Sequence, residues 1–402
     1  MLVQLDHERN LHRAMAMAMS LAGHGQPAAA TVRAGAAKPD AVATSLMPVP
    51  IFNFAVHNIA FSPRTSLPPI IGDGQTLATG DGTGTIRLWT VATGEMEATI
   101  AAHTNWAFSV AWSSDAQGFA TAGGDDLVHL FQITDLSKPA KTFRGHANDV
   151  HAVVFSSSND HLFSAGDDRH IIKWNLKDGT IEKRWRAHNE QIPSLALSPA
   201  GRFLASGSRD DSIRLWDAHT GKLIDTLIGH SDDVLSVRFS PDGRFLASAG
   251  YDHTVRLWHV ESGRTRRIFK GHTNRVFSVD FSPNGEWLAS AGDSTVRLWD
   301  VKSGAVIRVA SMGGEIATAT GKIPENLSAV AFSPNGEFLA VSSTTGITFL
   351  LSAQTGKLLR QYRQMEPGFV ASRCKAPTSL IGKTLRLIPT ATSTSPISAA
   401  TG

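Results

Sequence analysis

Between residues 51 and 363, apolar and polar positions alternate in short runs, and turn-forming residues close each run. The stretch from Val234 shows one full cycle. VLSVRFSP alternates with a period of two and predicts a strand, PDG from Pro241 a turn, and RFLASAG from Arg244 a second strand. YDHT then turns, VRLWHV is a third strand, ESG turns again, and RTRRIFK from Arg264 is a fourth. Four short strands joined by tight turns make a meander with apolar residues on both faces. Such a sheet cannot cover both faces alone, so copies must stack against each other.

The copies are visible in a recurring Trp. It stands at Trp89, Trp174, Trp216, Trp258 and Trp299, and Phe131 fills the one place where it is skipped. The steps are 42, 43, 42, 42 and 41 residues, the period of a supersecondary unit repeated many times. An aromatic or aliphatic anchor near the end of the first strand recurs at Phe61, Trp112, Phe155, Leu197, Phe239, Phe281 and Phe332, which makes seven copies. Two copies are stretched. About nine extra residues around RTSLPPIIG separate the first two strands of copy one, and about ten around GGEIATATGK precede copy seven. Both read as loops.

Gly145-His146, Gly229-His230 and Gly271-His272, with Trp216-Asp217 and Trp299-Asp300, resemble the Gly-His and Trp-Asp elements of the WD40-repeat family. The resemblance covers roughly residues 51 to 363. It implies an all-β fold, a seven-bladed WD40 β-propeller, between flexible N- and C-terminal extensions. The expected division is a largely disordered leader over residues 1–50, the propeller over 51–363 and a disordered tail over 364–402. Family members commonly close the ring with an N-terminal strand. Here KLLRQYR from Lys357 can supply the last outer strand, whereas SLMPVP from Ser45 holds two prolines that would spoil a ladder. Closure by the C-terminal strand is therefore favoured.

Composition narrows the picture without changing it. Of 402 residues 42% are hydrophobic and 18% charged, enough for a sizeable core and against wholesale disorder. A net charge of +3 is too small a bias to argue for nucleic acid. A single Cys, Cys374, rules out a disulfide within the chain and a Cys-based metal site, and fits a reducing compartment. No run approaches 18 apolar residues, so no membrane helix is expected. AMAMAMSLA from Ala14 resembles a signal-peptide core, but Asp6 and Glu8 precede it; the plainer reading is a short helix entering an Ala-rich leader. The expected location is the cytoplasm, with the nucleus as alternative.

Ser, His and Asp recur together, which a search for a hydrolase would notice. His146, Ser164, Asp168 and Trp174 return as His188, Ser206, Asp210 and Trp216, then as His230, Ser248, Asp252 and Trp258, then as His272, Ser290, Asp293 and Trp299. Repetition argues against catalysis, because an enzyme needs one such site and not four. The family resemblance implies a structural relay in each blade: Asp orients His, His meets Ser, and Ser meets the indole. Copy two keeps His103, Thr121 and Asp125, but Phe131 ends its relay. Copy one has Thr79 and Thr83 with no matching His or Asp, and copy seven has Leu350 or Leu351 in the Trp place. The terminal blades are expected to be the loosest. No metal, nucleotide or other cofactor is expected.

Function is sought where the copies differ. The connections from fourth to first strand and the turns from second to third strand open on one face of a propeller, where family members commonly bind protein segments. The register places Trp106, Phe108, Asp149, His151, Asp167, Arg209, Asp233, Leu235, Tyr251, Arg275 and Phe277 on that rim, with His57, Gln191, Pro193, Asn326 and Ser328. Aromatic and Arg residues are the usual binding hot spots. The expected function is a non-enzymatic scaffold that binds protein or peptide partners there, as a monomeric propeller within a complex. One alternative is an enzyme at the channel mouth using His57, His151 and Asp167. The other is a nucleic-acid-associated scaffold. The basic run RTRRIFK reads more simply as charge guarding an exposed strand edge.

Overall fold

A computed structural model of the chain describes residues 55–63, 74–312, 315–318, 321–324 and 326–364. The expected leader lies outside the described residues, as does the expected tail except for its first residue, Gln364, which is buried and hydrogen-bonded to blade 1 instead of disordered. Among the described residues every element is a strand. Seven antiparallel four-stranded sheets follow one another in sequence order and form the blades of a seven-bladed propeller. Blades 1 to 7 span residues 56–101, 107–144, 150–186, 194–228, 234–269, 276–311 and 327–363.

Burial explains the composition of each strand. In blade 5 the second strand, Phe245–Gly250, is buried at all but its first position and reads FLASAG. Small residues there let neighbouring sheets approach on both faces. The fourth strand, Thr265–Phe269, is mostly exposed and reads TRRIF. The glycine ending the second strand is required by close approach: at Gly166 a Cβ would stand 1.9 Å from the carbonyl oxygen of Asp149, and at Gly292 2.3 Å from that of Arg275. The loop entering the first strand thus rests directly on the sheet.

Seven apolar clusters fill seven joints between blades, and this makes the ring closed. Leu215, Leu227, Val237, Leu246 and Trp258 fill the joint of blades 4 and 5, and Val296, Leu298, Val330 and Phe349 that of blades 6 and 7. The recurring Trp packs backwards across its joint, with Trp174 against Phe143 at 5.4 Å and Trp299 against Phe269 at 5.4 Å between ring centroids. Full burial of one large apolar side chain stabilises by about 1.5–3 kcal/mol. Polar ties flank the clusters. Ser194 Oγ and Ser278 Oγ on first strands accept from Val237 N (3.1 Å) and Val330 N (3.2 Å) of the next blade. On the outside, basic residues of fourth strands donate to the next blade's last turn: Lys141 to Lys177 O (2.7 Å), Arg267 to Lys302 O (2.8 Å) and Arg308 to Gln354 O (2.6 Å). Arg267 belongs to the basic run RTRRIFK, so that run also staples a joint.

Leu358–Arg363 is the fourth strand of blade 7 and pairs with Ile347–Ser352, so the C-terminal side completes that blade. The ring then closes without a shared strand. Val56, Ile59 and Trp89 of blade 1 pack with Ala329, Leu350 and Tyr362 of blade 7. Arg360 donates to Ala92 O and Thr93 O, and Ser328 Oγ to Val56 O.

One expectation fails. The extra segment before blade 7 is not a plain loop, because Glu315–Thr318 and Gly321–Pro324 pair as an antiparallel hairpin. Each strand is four residues long, too short for alternation to outweigh the turn formers around it. The insertion in blade 1 lies outside the described residues.

Candidate functional site

The relay supports the rim from beneath. In blades 3 to 6 the His stands on the connection leaving the preceding blade, so the relay ties that connection to its blade. Nε2 lies 2.7 Å from the Ser hydroxyl in all four: His146–Ser164, His188–Ser206, His230–Ser248 and His272–Ser290. The indole N–H of Trp174, Trp216, Trp258 and Trp299 donates to the same hydroxyls at 2.7, 2.9, 2.8 and 2.8 Å. Nδ1 lies 3.0, 3.0, 2.8 and 2.7 Å from Asp168, Asp210, Asp252 and Asp293. One arrangement of protons satisfies every bond: indole N–H to Ser, Ser O–H to Nε2, Nδ1–H to Asp. The four Ser residues are fully buried, so no substrate reaches their hydroxyls.

Each relay Asp also clamps two loops. Asp252 accepts from Ser231 N (3.3 Å) on the connection entering blade 5, and from Thr254 N (3.0 Å) in the turn between second and third strands. Burial by itself pushes these carboxyls up, but hydrogen bonds from His and from neighbouring hydroxyls and amides outweigh it. Asp210, Asp252 and Asp293 end well below the ordinary carboxylate range. Asp252→Ala is expected to cost about 1–3 kcal/mol, because His230 Nδ1 loses its buried acceptor. An unchanged urea midpoint would refute this role.

The two loops so clamped carry the variable residues. The turn residue just before the relay Asp donates its backbone N–H to a loop residue one to three positions before the first strand. The bonds are Asp167 N to Asp149 O (2.9 Å), Arg209 N to Gln191 O (3.0 Å) and Tyr251 N to Asp233 O (2.9 Å), with Gly124 N to Trp106 O (2.9 Å) in blade 2. The rim is therefore a set of backbone-paired positions at one end of the sheets.

Its side chains form two groups. Over blades 1 to 3, the His57 ring lies tilted 4.5 Å from Trp106 and edge-on 5.7 Å from Phe108, and Phe108 lies 4.2 Å from His151. His151 Nε2 stands 2.7 Å from Asp167 Oδ1, beside Asp149. Over blades 4 to 6, Arg209 is 3.8 Å from Asp233, Arg275 lies 4.2 Å above the Tyr251 ring, and Tyr251 meets Phe277 edge-on at 6.1 Å. Leu235, on the first strand of blade 5, belongs in register to the second group and is half-buried like all the others. Burial pushes Asp149 and Asp233 up to about 6, against the pull of His151 and Arg209 respectively. Burial, then His151, pushes His57 down to about 3.

Sequence reasoning missed several residues. Asp126, Asp211 and Asp232 add negative charge to the rim, and the doublets Asp125-Asp126, Asp210-Asp211 and Asp232-Asp233 were the available signal. On first strands away from the rim, Asp280 accepts from Phe332 N (2.8 Å) and faces Arg238 at 4.0 Å. Blade 1 has no matching His or Asp, but another residue from the far end of the chain fills the place of the His. Gln364 Nε2 donates to Thr79 Oγ1 (2.8 Å), which also accepts from Trp89 Nε1 (3.0 Å). Arg87 then links Gln364 Oε1 (2.7 Å) to the buried Asp81. Gln364 occupies the bonding place of His from the far end of the chain, where no Gly-His marks it. In blade 2, His103 bonds Thr121 at 2.9 Å and Asp125 at 2.7 Å, and Phe131 has no N–H to extend the chain.

Seven four-stranded blades, four of them pinned by a buried Trp–Ser–His–Asp chain, define a repeat β-propeller. The WD40 family model (WD domain, G-beta repeat) matches residues 94–132, 137–175, 179–217, 221–259 and 263–300. The chain belongs to the WD40-repeat family. Each matched unit joins the end of one blade to the first three strands of the next, and the flanking blades 1 and 7 carry the variant sequences. Similar proteins include histone acetyltransferase type B subunit 2 of Candida glabrata, 44% identical over 15% of this chain and 15% of its own length. WD40 repeat-containing protein HOS15 of Arabidopsis thaliana is 30% identical over 27% of this chain and 24% of its own. WD repeat-containing protein SL1-17 of Schistosoma mansoni is 33% identical over 31% and 37%. The chain thus matches well under half the length of each.

Proposed function

We propose that the chain is a non-enzymatic scaffold that binds protein or peptide segments on the rim. The observation that carries this reading is the contrast between a relay repeated four times and the rim positions it clamps. Those positions differ from blade to blade and gather Trp106, Phe108, Tyr251, Phe277, Arg209 and Arg275, the residue types that dominate binding energy. WD40 propellers generally serve as interaction scaffolds, and one similar protein is named as an enzyme subunit, which fits a chain that works inside an assembly.

The catalytic alternative is weaker on chemistry. His151 stands 2.7 Å from Asp167 but out of line to exchange a proton with it, and His57 is wedged beside Trp106 and Phe108, held neutral. The test is capture. Alanine at Trp106, Tyr251 and Arg275 together is expected to abolish recovery of partners in a pull-down while leaving the melting curve unchanged. A folded triple variant that still captures its partners would overturn the reading.

A further inference from the structure

We propose that the rim over blades 1 to 3 receives a cationic side chain, lysine or arginine, of a partner segment, between the carboxylates of Asp149 and Asp167 and the rings of Trp106 and Phe108. This rests on the reading of the rim as the binding face and adds the chemistry of what is bound.

Three observations converge. Asp149, His151 and Asp167 each bring one polar atom within 4.8 Å of the other two, so two carboxylates share a single imidazole. Next, buried polar atoms of the rim lack hydrogen-bond partners: Asp167 Oδ1, His57 Nε2 and Asn326 Oδ1. His151 Nε2 is close to Asp167 Oδ1 but out of line for a hydrogen bond. Buried polar groups are normally satisfied, and two of these three atoms are obligate acceptors that call for a donor. The third observation is the wall. Trp106 and Phe108 lie 5.8 Å apart with ring planes only 20° from parallel, and Phe108 reaches His151 at 4.2 Å. An apolar stem laid along this wall delivers its charged head to the carboxylates.

Charge selects the sign of the guest. The titratable groups acting on Asp149 are His151, Asp167 and Asp126. Asp233, the corresponding residue two blades on, is faced by Arg209 and Arg275 as well as by Asp232 and Asp211. The acidic group of blades 4 and 5 is therefore supplied with guanidinium from the protein itself, whereas the group that favours the charged form of Asp149 is the His151 imidazole. A cation completes the second in the way Arg209 completes the first, and the face of an aromatic ring attracts the same charge. An anionic guest would meet two carboxylates. Burial holds Asp149 near 6, so its protonation makes this part of the rim less negative, and affinity for a cation should fall as pH drops from 7.5 to 5.

The experiment uses the full chain, labelled with 15N, and follows the indole N–H signal of Trp106, assigned by Trp106→Phe. The probes are acetyl-Gly-Ser-Xaa-Ser-Gly-amide peptides, with Arg or Lys at Xaa and with citrulline, Nε-acetyl-lysine or Glu as matched controls. Arg and Lys peptides are expected to move the signal saturably and at least about tenfold more tightly than the controls. The preference should weaken at pH 5 and disappear in the Asp149→Asn/Asp167→Asn variant. Equal response to the neutral peptides, or no response to any, overturns the proposal. So does Zn2+ alone producing the shift and excluding the peptide, which would make the cluster a metal site. The pH series on the unaltered chain keeps the test decisive if the double variant does not fold. Loss of partner capture in the rim triple variant, without charge preference among peptides, would leave the scaffold reading standing and refute this one alone.

Discussion

Arg87→Met is expected to lower the unfolding free energy by about 3–5 kcal/mol, the cost of leaving a buried charge without its partner. Asp81 is fully buried on the second strand of blade 1, and Arg87 on the third strand is the cation that meets it. The other oxygen of Asp81 already accepts from Thr83 N (2.9 Å), Thr83 Oγ1 (2.6 Å) and Thr85 N (3.2 Å), so the carboxylate is held in place and cannot swing out to water. Methionine keeps the apolar stem and removes the charge. Arg87 also binds Gln364 Oε1, so the same change loosens the joint between blades 7 and 1. Two variants separate these effects. Gln364→Ala removes only the joint contact and should cost about 1–3 kcal/mol. Asp81→Asn combined with Arg87→Met removes the stranded charge and should recover part of the loss. Urea unfolding of the three variants measures the differences. A loss below about 1 kcal/mol for Arg87→Met would show that the pair does not hold the blade.

The seam also marks where the sequence stopped being readable. The seven blades were legible because each is a local meander, whose strands, turns and anchors lie within about 40 residues and repeat. The relay was legible for the same reason: His and Ser are 18 apart in every full copy. Gln364 lies 285 residues from Thr79, and its neighbours carry no family element, so only the closed ring brings it to the place of a His. The rim was half legible. The register named which residues stand there, but not that Asp167 and Asp149, or Tyr251 and Asp233, are joined through their backbones. Nor could it show how burial sorts the acids. Asp168 and Asp252 fall low because they accept from His, whereas Asp149 and Asp233 rise because burial outweighs the cations near them. Such a difference depends on neighbours from separate strands, which no single run of residues records.

A chain ending at Gly356 is expected to lose its cooperative unfolding transition, whereas a chain beginning at Phe52 should melt like the full one. The shorter C-terminus removes Leu358–Arg363 and with it the whole outer edge of blade 7. Ile347–Ser352 would then expose the ladder of a strand that is buried at four of its six positions, an edge prone to pairing with another chain. The damage reaches blade 1 as well. Trp89 loses the Tyr362 ring at 5.5 Å, the last turn of blade 1 loses Arg360, and Thr79 and Arg87 lose Gln364. Six of the seven joints remain, but a ring with one joint open has two blade faces that water can reach, and each was built to be covered. The N-terminal cut leaves Val56–Phe61 whole, and among the described residues that strand pairs only with Thr76–Asp81 of its own blade. Thermal melts followed by far-ultraviolet circular dichroism, with light scattering for aggregation, compare the two. If the chain ending at Gly356 melts like the full length while the one beginning at Phe52 does not, the propeller is closed from its N-terminal side and the clasp at Gln364 is dispensable.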